Sequence, residues 1–200
     1  MLRGPHGAPQ WPDGVVGSIT HCAGYRAAVV AHATRFRLLG VDAEPRAALP
    51  PGILETIVLP GERSWARDLR AGSPGVHWDR LLFCVKETVH RSWYPATARW
   101  LGFEDARIFV DPVAGTFSAR ILVPTPLRRQ GRPISRLSGR WLVGEGLVPA
   151  ALATPCDPCS APGARRPCAG CRVPPRPRWP GGRDLPPTKN EKLPPQHGGG

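Results

Sequence analysis

Val76-His77-Trp78-Asp79-Arg80-Leu81-Leu82-Phe83-Cys84-Val85-Lys86-Glu87-Thr88-Val89-His90-Arg91-Ser92-Trp93-Tyr94 is the stretch on which the reading of this sequence turns. Leu81, Leu82, Val85, Val89 and Trp93 recur at three- and four-residue spacing, which places them on one stripe of a helix. The spacing predicts a helix from Val76 to Tyr94, stopped by Pro95, with that stripe against a core. Upstream, Gly14 to Thr20, Tyr25 to Ala33 and Phe36 to Val41 are short β-rich runs. The third leads into Asp42-Ala43-Glu44-Pro45, where Pro45 holds Glu44 extended. Helical signals follow at Pro51 to Val58 and Glu62 to Arg70. Downstream come strand-like runs at Ala106 to Val110, Thr116 to Val123, Leu137 to Val143 and Leu147 to Leu152. Strands, then helices, then strands make an α+β fold; a doubly wound sheet would alternate.

The 200 residues carry 27 Lys/Arg against 15 Asp/Glu, a formal charge of +12. Their length fits one domain, or one domain and a tail. The longest apolar stretches, such as Tyr25 to Ala33, are too short to span a bilayer. Met1-Leu2-Arg3-Gly4 opens no apolar signal region, so a cytoplasmic protein is expected. The chain divides after Ala153. Residues 154–200 hold 12 of the 26 prolines and 7 of the 23 glycines but few large apolar side chains. Such a segment buries too little apolar area to offset its ordering entropy. The expectation is a folded domain over 1–153 and a disordered basic tail over 154–200. Cys156, Cys159, Cys168 and Cys171 in that tail have paired zinc-ligand spacing. A basic protein binding zinc or nucleic acid through this tail is therefore one reading of the chain, with accidental cysteines the blander alternative.

Inside the domain, the chemistry gathers around carboxylates. Asp42 and Glu44 are two apart in an extended segment and point to one side. There they repel unless a cation or proton lies between them. On the helix, Phe83, Glu87 and Arg91 share one face, and Lys86 and His90 share the next. Asp42, Glu44 and Glu87 would offer hard oxygen ligands to Mg2+, with Lys86 and Arg91 beside them for phosphates. Spacing alone leaves open whether strand and helix meet, since a lone Asp-x-Glu is usually a solvated loop.

Four motifs in order change the weight of that proposal: Gly17-Ser18-Ile19-Thr20-His21-Cys22, Gly40-Val41-Asp42-Ala43-Glu44-Pro45, Phe83-Cys84-Val85-Lys86-Glu87-Thr88-Val89-His90-Arg91-Ser92-Trp93 and Trp100-Leu101-Gly102-Phe103-Glu104-Asp105-Ala106. Together they resemble the Sfp-type 4'-phosphopantetheinyl transferases, in the branch similar to the enterobactin synthase component D. The resemblance runs from about Gly7 to Ala153. It implies two similar α+β halves, the first truncated at its N-terminus. It also implies Mg2+-dependent transfer of phosphopantetheine from coenzyme A to a serine of an acyl, aryl or peptidyl carrier protein, releasing adenosine 3',5'-bisphosphate. The pathway expected is nonribosomal-peptide, siderophore or polyketide assembly, with neither a nucleic-acid partner nor a membrane span.

Residue by residue, the resemblance assigns the metal to Asp42, Glu44 and Glu87, and catalysis to Glu87 as general base with Lys86. Thr20, His21, Lys86 and Arg91 become coenzyme A phosphate contacts, Arg91 standing where the family carries lysine. Phe83, His90, Trp100 and Leu101 become the walls around the pantetheine arm, His90 standing where relatives usually carry tyrosine. Arg3 and His6 lie near the last basic group with which the family grips the 3'-phosphate. A relative of impaired activity that only docks carrier proteins is the alternative of the same family. Outside these motifs, Trp11, Trp65, Trp78 and Trp141 are expected to be packing residues, and Cys22 and Cys84 buried thiols. Asp79 and Arg80 are expected to be charges on the helix surface.

Overall fold

A computed structural model describes residues 8–129 and 132–156. The N-terminal Arg3 and His6, and the tail from 157 onward with Cys159, Cys168 and Cys171, lie outside the described residues. The fold is α+β, as the order of the sequence patterns indicates. A hairpin comes first: β1 (Val15–Cys22) and β2 (Tyr25–His32) pair antiparallel, turning at Gly24, which has a positive φ. β3 (Phe36–Pro45) then opens a five-stranded antiparallel sheet. Its other strands are β4 (Ala106–Asp111), β5 (Thr116–Ile121), β8 (Arg136–Trp141) and β9 (Leu147–Pro155), in the order β3-β9-β8-β5-β4. Two-residue strands β6 (Arg128–Arg129) and β7 (Arg132–Pro133) pair separately. Between β3 and β4 run α1 (Ile53–Ile57), α2 (Pro60–Gly72), α3 (Trp78–Thr97) and a 3-10 turn (Phe103–Asp105).

α3 is the keystone. Its stripe of Leu81, Leu82, Val85, Val89 and Trp93 is almost completely buried, in one core with Leu38, Ile108, Phe117, Leu137, Val148 and Leu152 from the sheet. Close approach of α3 to the sheet depends on Gly40. A Cβ there would collide with the Thr88 carbonyl oxygen on α3 and with Ser92 Cβ. The tryptophans pack as expected: Trp78 is buried and meets Trp141 edge-on, with ring centroids 5.6 Å apart.

Two expected boundaries move. Pro95 does not stop α3, which runs on to Thr97. Proline lacks an N–H and therefore removes one hydrogen bond of the last turn, and the helix closes only when Ala98 turns left-handed at φ 52° and donates to the Tyr94 carbonyl. The sheet also passes the domain end expected at Ala153. Leu38 pairs with Thr154 and Phe36 with Pro155, and the Cys156 N–H donates to the Arg35 carbonyl at 2.9 Å. The first residues of β3 need that partner for their backbone groups. Among the described residues, no helix is long and apolar enough to cross a membrane.

Candidate active site

The hairpin reaches the sheet through side chains. Ser18 and Thr20 point inward from β1, and their hydroxyl oxygens accept the N–H groups of Val41 (3.1 Å) and Ala43 (3.0 Å) along the outer edge of β3. Thr20 Oγ1 also donates to Asp42 Oδ1 at 2.8 Å. Thr20 is fully buried, while its neighbour His21 is exposed, as alternation along a strand requires. The structure therefore gives Thr20 to the carboxylate and leaves His21 as the half of the pair that faces solvent. Cys22, next on the inner side, is partly buried. Burial pushes its thiol up, and so do the charges of Glu44 and Asp42.

Asp42, Glu44 and Glu87 gather where β3 passes α3. Asp42 is 1% exposed, its Oδ2 is buried without a hydrogen-bond partner among the described residues, and burial pushes its pKa up to about 6. The Glu87 charge pushes the same way, against the lowering pull of Arg91 and Thr20. Glu44 is raised by burial and then by Asp42. Glu87 is raised by burial and then by Glu44, against Arg91. Each carboxylate thus feels another, which places the three in one local field.

Two guanidinium groups face them. Arg91 Nε lies 3.1 Å from Asp42 Oδ1, at an angle that makes no hydrogen bond, and one terminal nitrogen lies 3.5 Å from Glu87 Oε2. Its other terminal nitrogen donates to the Ile19 carbonyl at 3.4 Å. Arg80 is held far more firmly. It donates to Glu44 Oε2 (2.9 Å) and to the carbonyls of Ala47 (3.0 Å) and Ala48 (2.8 Å). The expectation of Arg80 as a surface charge is corrected here, since the residue is buried against the loop after β3. Its signal was its place two turns before Glu87, on the same face of α3. Asp79 is likewise engaged, accepting the Leu49 N–H at 2.8 Å.

Lys86 is not brought to the carboxylates. Its ammonium group lies 2.9 Å from Glu62 Oε2 and donates to the carbonyls of Phe103 (2.7 Å) and Ala106 (3.0 Å). Both side chains of this ion pair are 1% exposed. All three ammonium protons have acceptors, so none is left for a phosphate. Glu62 completes the knot by accepting the N–H of Leu59 (2.8 Å) and of Ile108 (2.6 Å). Nothing in the sequence marked Glu62, because its partners sit on distant elements.

Beyond Arg91 opens a cleft of about 130 Å3, lined by residues that include Ile19, His90, Arg91, Tyr94, Pro95 and Trp100. His90 meets the Trp100 ring edge-on at 4.4 Å and stacks on Tyr94 at 6.0 Å. Its Nδ1 lies 3.1 Å from the Leu101 carbonyl, and burial lowers its pKa. Leu101 is buried below this contact, and Trp100 stands half-exposed at the rim. Phe83 packs against Phe103 at 5.9 Å, away from the residues that line the cleft.

The residues fit a hard divalent cation in chemistry. They supply three carboxylates in mutual repulsion, one with a buried oxygen that lacks a hydrogen-bond partner among the described residues. They do not form a closed ligand cage. Among the described residues, no three His, Cys, Asp or Glu side chains converge as a ready-made cluster. Arg80 and Arg91 lie against those oxygens instead.

Comparison with known proteins places the sequence in a family. A model of the 4'-phosphopantetheinyl transferase N-terminal domain matches residues 1–31, and a model of the 4'-phosphopantetheinyl transferase superfamily matches residues 38–134. The first takes in most of the hairpin. The second runs from β3 through α3 into the sheet. The chain is 54% identical over 153 residues to the 4'-phosphopantetheinyl transferase Svp of Streptomyces mobaraensis, an alignment covering 76% of this chain and 62% of that protein. It is 49% identical over 158 residues to Npt of Nocardia iowensis, covering 76% of this chain and 70% of the relative. PptT of Mycobacterium tuberculosis is 48% identical over 157 residues, with 76% and 67% covered. Both are also named as 4'-phosphopantetheinyl transferases. The chain belongs to the 4'-phosphopantetheinyl transferase superfamily. It spans less than two thirds of the length of the first of these relatives.

Proposed function

We propose that this chain transfers 4'-phosphopantetheine from coenzyme A to a serine of an acyl, aryl or peptidyl carrier protein. The observation that supports the reading is a loosely held Arg91 lying against both Asp42 and Glu87, beside an aromatic cleft, with Glu44 in the same electrostatic field. Asp42, Glu44 and Glu87 would hold Mg2+, which when bound neutralises charge on pyrophosphate oxygens. Glu87 takes the proton from the carrier serine. Burial raises its pKa above the ordinary carboxylate value, which makes it a stronger proton acceptor. The serine oxygen then bonds to the β-phosphorus, and the bond from that phosphorus to adenosine 3',5'-bisphosphate breaks. Arg91 supplies positive charge, and the exposed His21 a ring N–H donor, where the leaving group gathers negative charge.

His90, Tyr94 and Trp100 give the thiol-bearing arm an apolar wall. Thr20 and Arg80 act one step back, orienting Asp42 and Glu44. Lys86 holds Glu62 and the turn at Phe103, and so positions α3 rather than the substrate. The net charge of +12 suits an anionic donor and an acidic carrier. Nonribosomal-peptide, siderophore or polyketide assembly, in the cytoplasm, is the setting this reading favours.

The test is the mass of an apo carrier protein incubated with the full chain, coenzyme A and Mg2+. The expected result is the gain of one phosphopantetheine, abolished by EDTA. An unchanged carrier mass, under conditions where an established transferase modifies the same carrier, would overturn the reading.

A further inference from the structure

Arg80 lies against Glu44 and Arg91 against Asp42 and Glu87, yet only one of the two guanidiniums is free to leave. Arg80 has hydrogen-bond acceptors on all three of its guanidinium nitrogens, and its side chain is 11% exposed. Arg91 is 32% exposed. Its contacts are long or poorly aligned: 3.1 Å to Asp42 without a hydrogen bond, 3.5 Å to Glu87 and 3.4 Å to the Ile19 carbonyl. It also borders the open cleft. With three carboxylates against two guanidiniums, the cluster keeps a net negative charge that draws in further cations.

We propose that Arg91 is the resident counter-ion of Asp42 and Glu87, and that a divalent cation enters by displacing its guanidinium toward the cleft. The inference rests on the metal reading given above and adds a competition to it. A group that holds the oxygens in the metal-free chain stabilises that chain and, to the same extent, weakens metal binding. Arg91 would thus cap the affinity for the cation and keep the buried carboxylates from facing one another unpaired. Once displaced, its charge lies on the wall where an anionic substrate enters, so cation and substrate arrive at a site whose charges rearrange together.

The test is calorimetric titration of Mg2+, with Mn2+ as a second probe, into the full chain and into Arg91→Gln and Arg91→Lys. Arg91→Gln is expected to bind Mg2+ roughly tenfold tighter than the parent. It should melt lower without metal and gain more in melting temperature on adding Mg2+. Arg91→Lys should lie between the two. Arginine modification by phenylglyoxal, followed by peptide mass mapping, gives a readout on the unaltered chain. Modification at Arg91 should speed up severalfold when Mg2+ is added, while the rate at exposed Arg26 stays constant. Equal Mg2+ affinity in parent and Arg91→Gln, or Mg2+ binding that leaves Arg91 no more reactive, would overturn the proposal while leaving the metal site intact. Failure of the unaltered chain to bind either ion would instead overturn the metal reading, and this inference with it.

Discussion

Helix α3 carries two ion pairs of opposite character within six residues. On one side Lys86 meets Glu62 in a closed knot: both side chains are 1% exposed and both ions have further hydrogen-bond partners. On the other, Arg91 leans on Asp42 and Glu87 through poorly aligned contacts, beside a carboxylate oxygen with no hydrogen-bond partner among the described residues. The first arrangement has nothing left to offer a ligand. The second is short of partners at the place where a cation and phosphates would sit. The lesson is that satisfaction, together with burial and not charge alone, separates scaffold from chemistry here. Lys86 and Glu87 are sequence neighbours on opposite sides of that line, because one residue along a helix turns the side chain by about 100°.

The largest effect expected is on the open side. Glu87→Gln should lower the rate of carrier modification about 10²–10⁴-fold, the usual contribution of a positioned base. Its melting temperature should stay close to the parent's. A variant that keeps its turnover would erase the contrast between the two pairs. On the closed side, Lys86→Met should destabilise the chain by about 3–5 kcal/mol, since it leaves Glu62 buried without a cation. Denaturant unfolding checks this, and the double substitution Glu62→Leu with Lys86→Met should recover most of the loss. If Lys86→Met instead folds normally and loses only transfer, Lys86 belongs with the chemistry after all.

Gly40→Ala probes what brings the two sides into register. The added methyl would push α3 from β3 at Thr88 and Ser92, and the expected cost is about 1–3 kcal/mol. Unfolding measurements should show that loss, with a fall in transfer as Glu87 shifts relative to Asp42. The smallest effect concerns His90, whose pKa burial lowers in the folded chain. As pH falls below about 6.5, the unfolded chain takes up a proton that the folded imidazole resists. Stability is then lost on the acid side, and His90→Tyr should flatten that slope. Melting temperatures measured between pH 5 and pH 8 test this, and an unchanged slope would show that His90 does not contribute to it.

Much of this was legible in the sequence, for local reasons. The α3 stripe follows from helical period, and each of the longer strands falls on a β-rich run. Asp42 and Glu44 declared themselves by their two-residue spacing in an extended segment. Thr20 and His21 read together as phosphate contacts, yet a strand sends adjacent side chains to opposite faces, and only His21 looks outward. The destiny of Lys86 was hidden. Its acceptors are Glu62, 24 residues earlier, and two carbonyls beyond the end of α3, brought together only when the chain returns to form β4. Arg80 was hidden in part: its helix face was readable, but the loop carbonyls that hold it were not. The run-on of α3 past Pro95 shows that a proline in the final turn removes one hydrogen bond without ending the helix.

The attachment of the hairpin to β3 has a consequence for how the molecule comes apart. Where a ladder of amide bonds would weld two strands, Ser18 and Thr20 fasten these by two hydroxyl groups, like a pair of press-studs. Thr20 fastens Asp42 with the same oxygen. Unclipping the hairpin and slackening Asp42 are therefore a single event, and a hairpin that frays takes the proposed metal site with it.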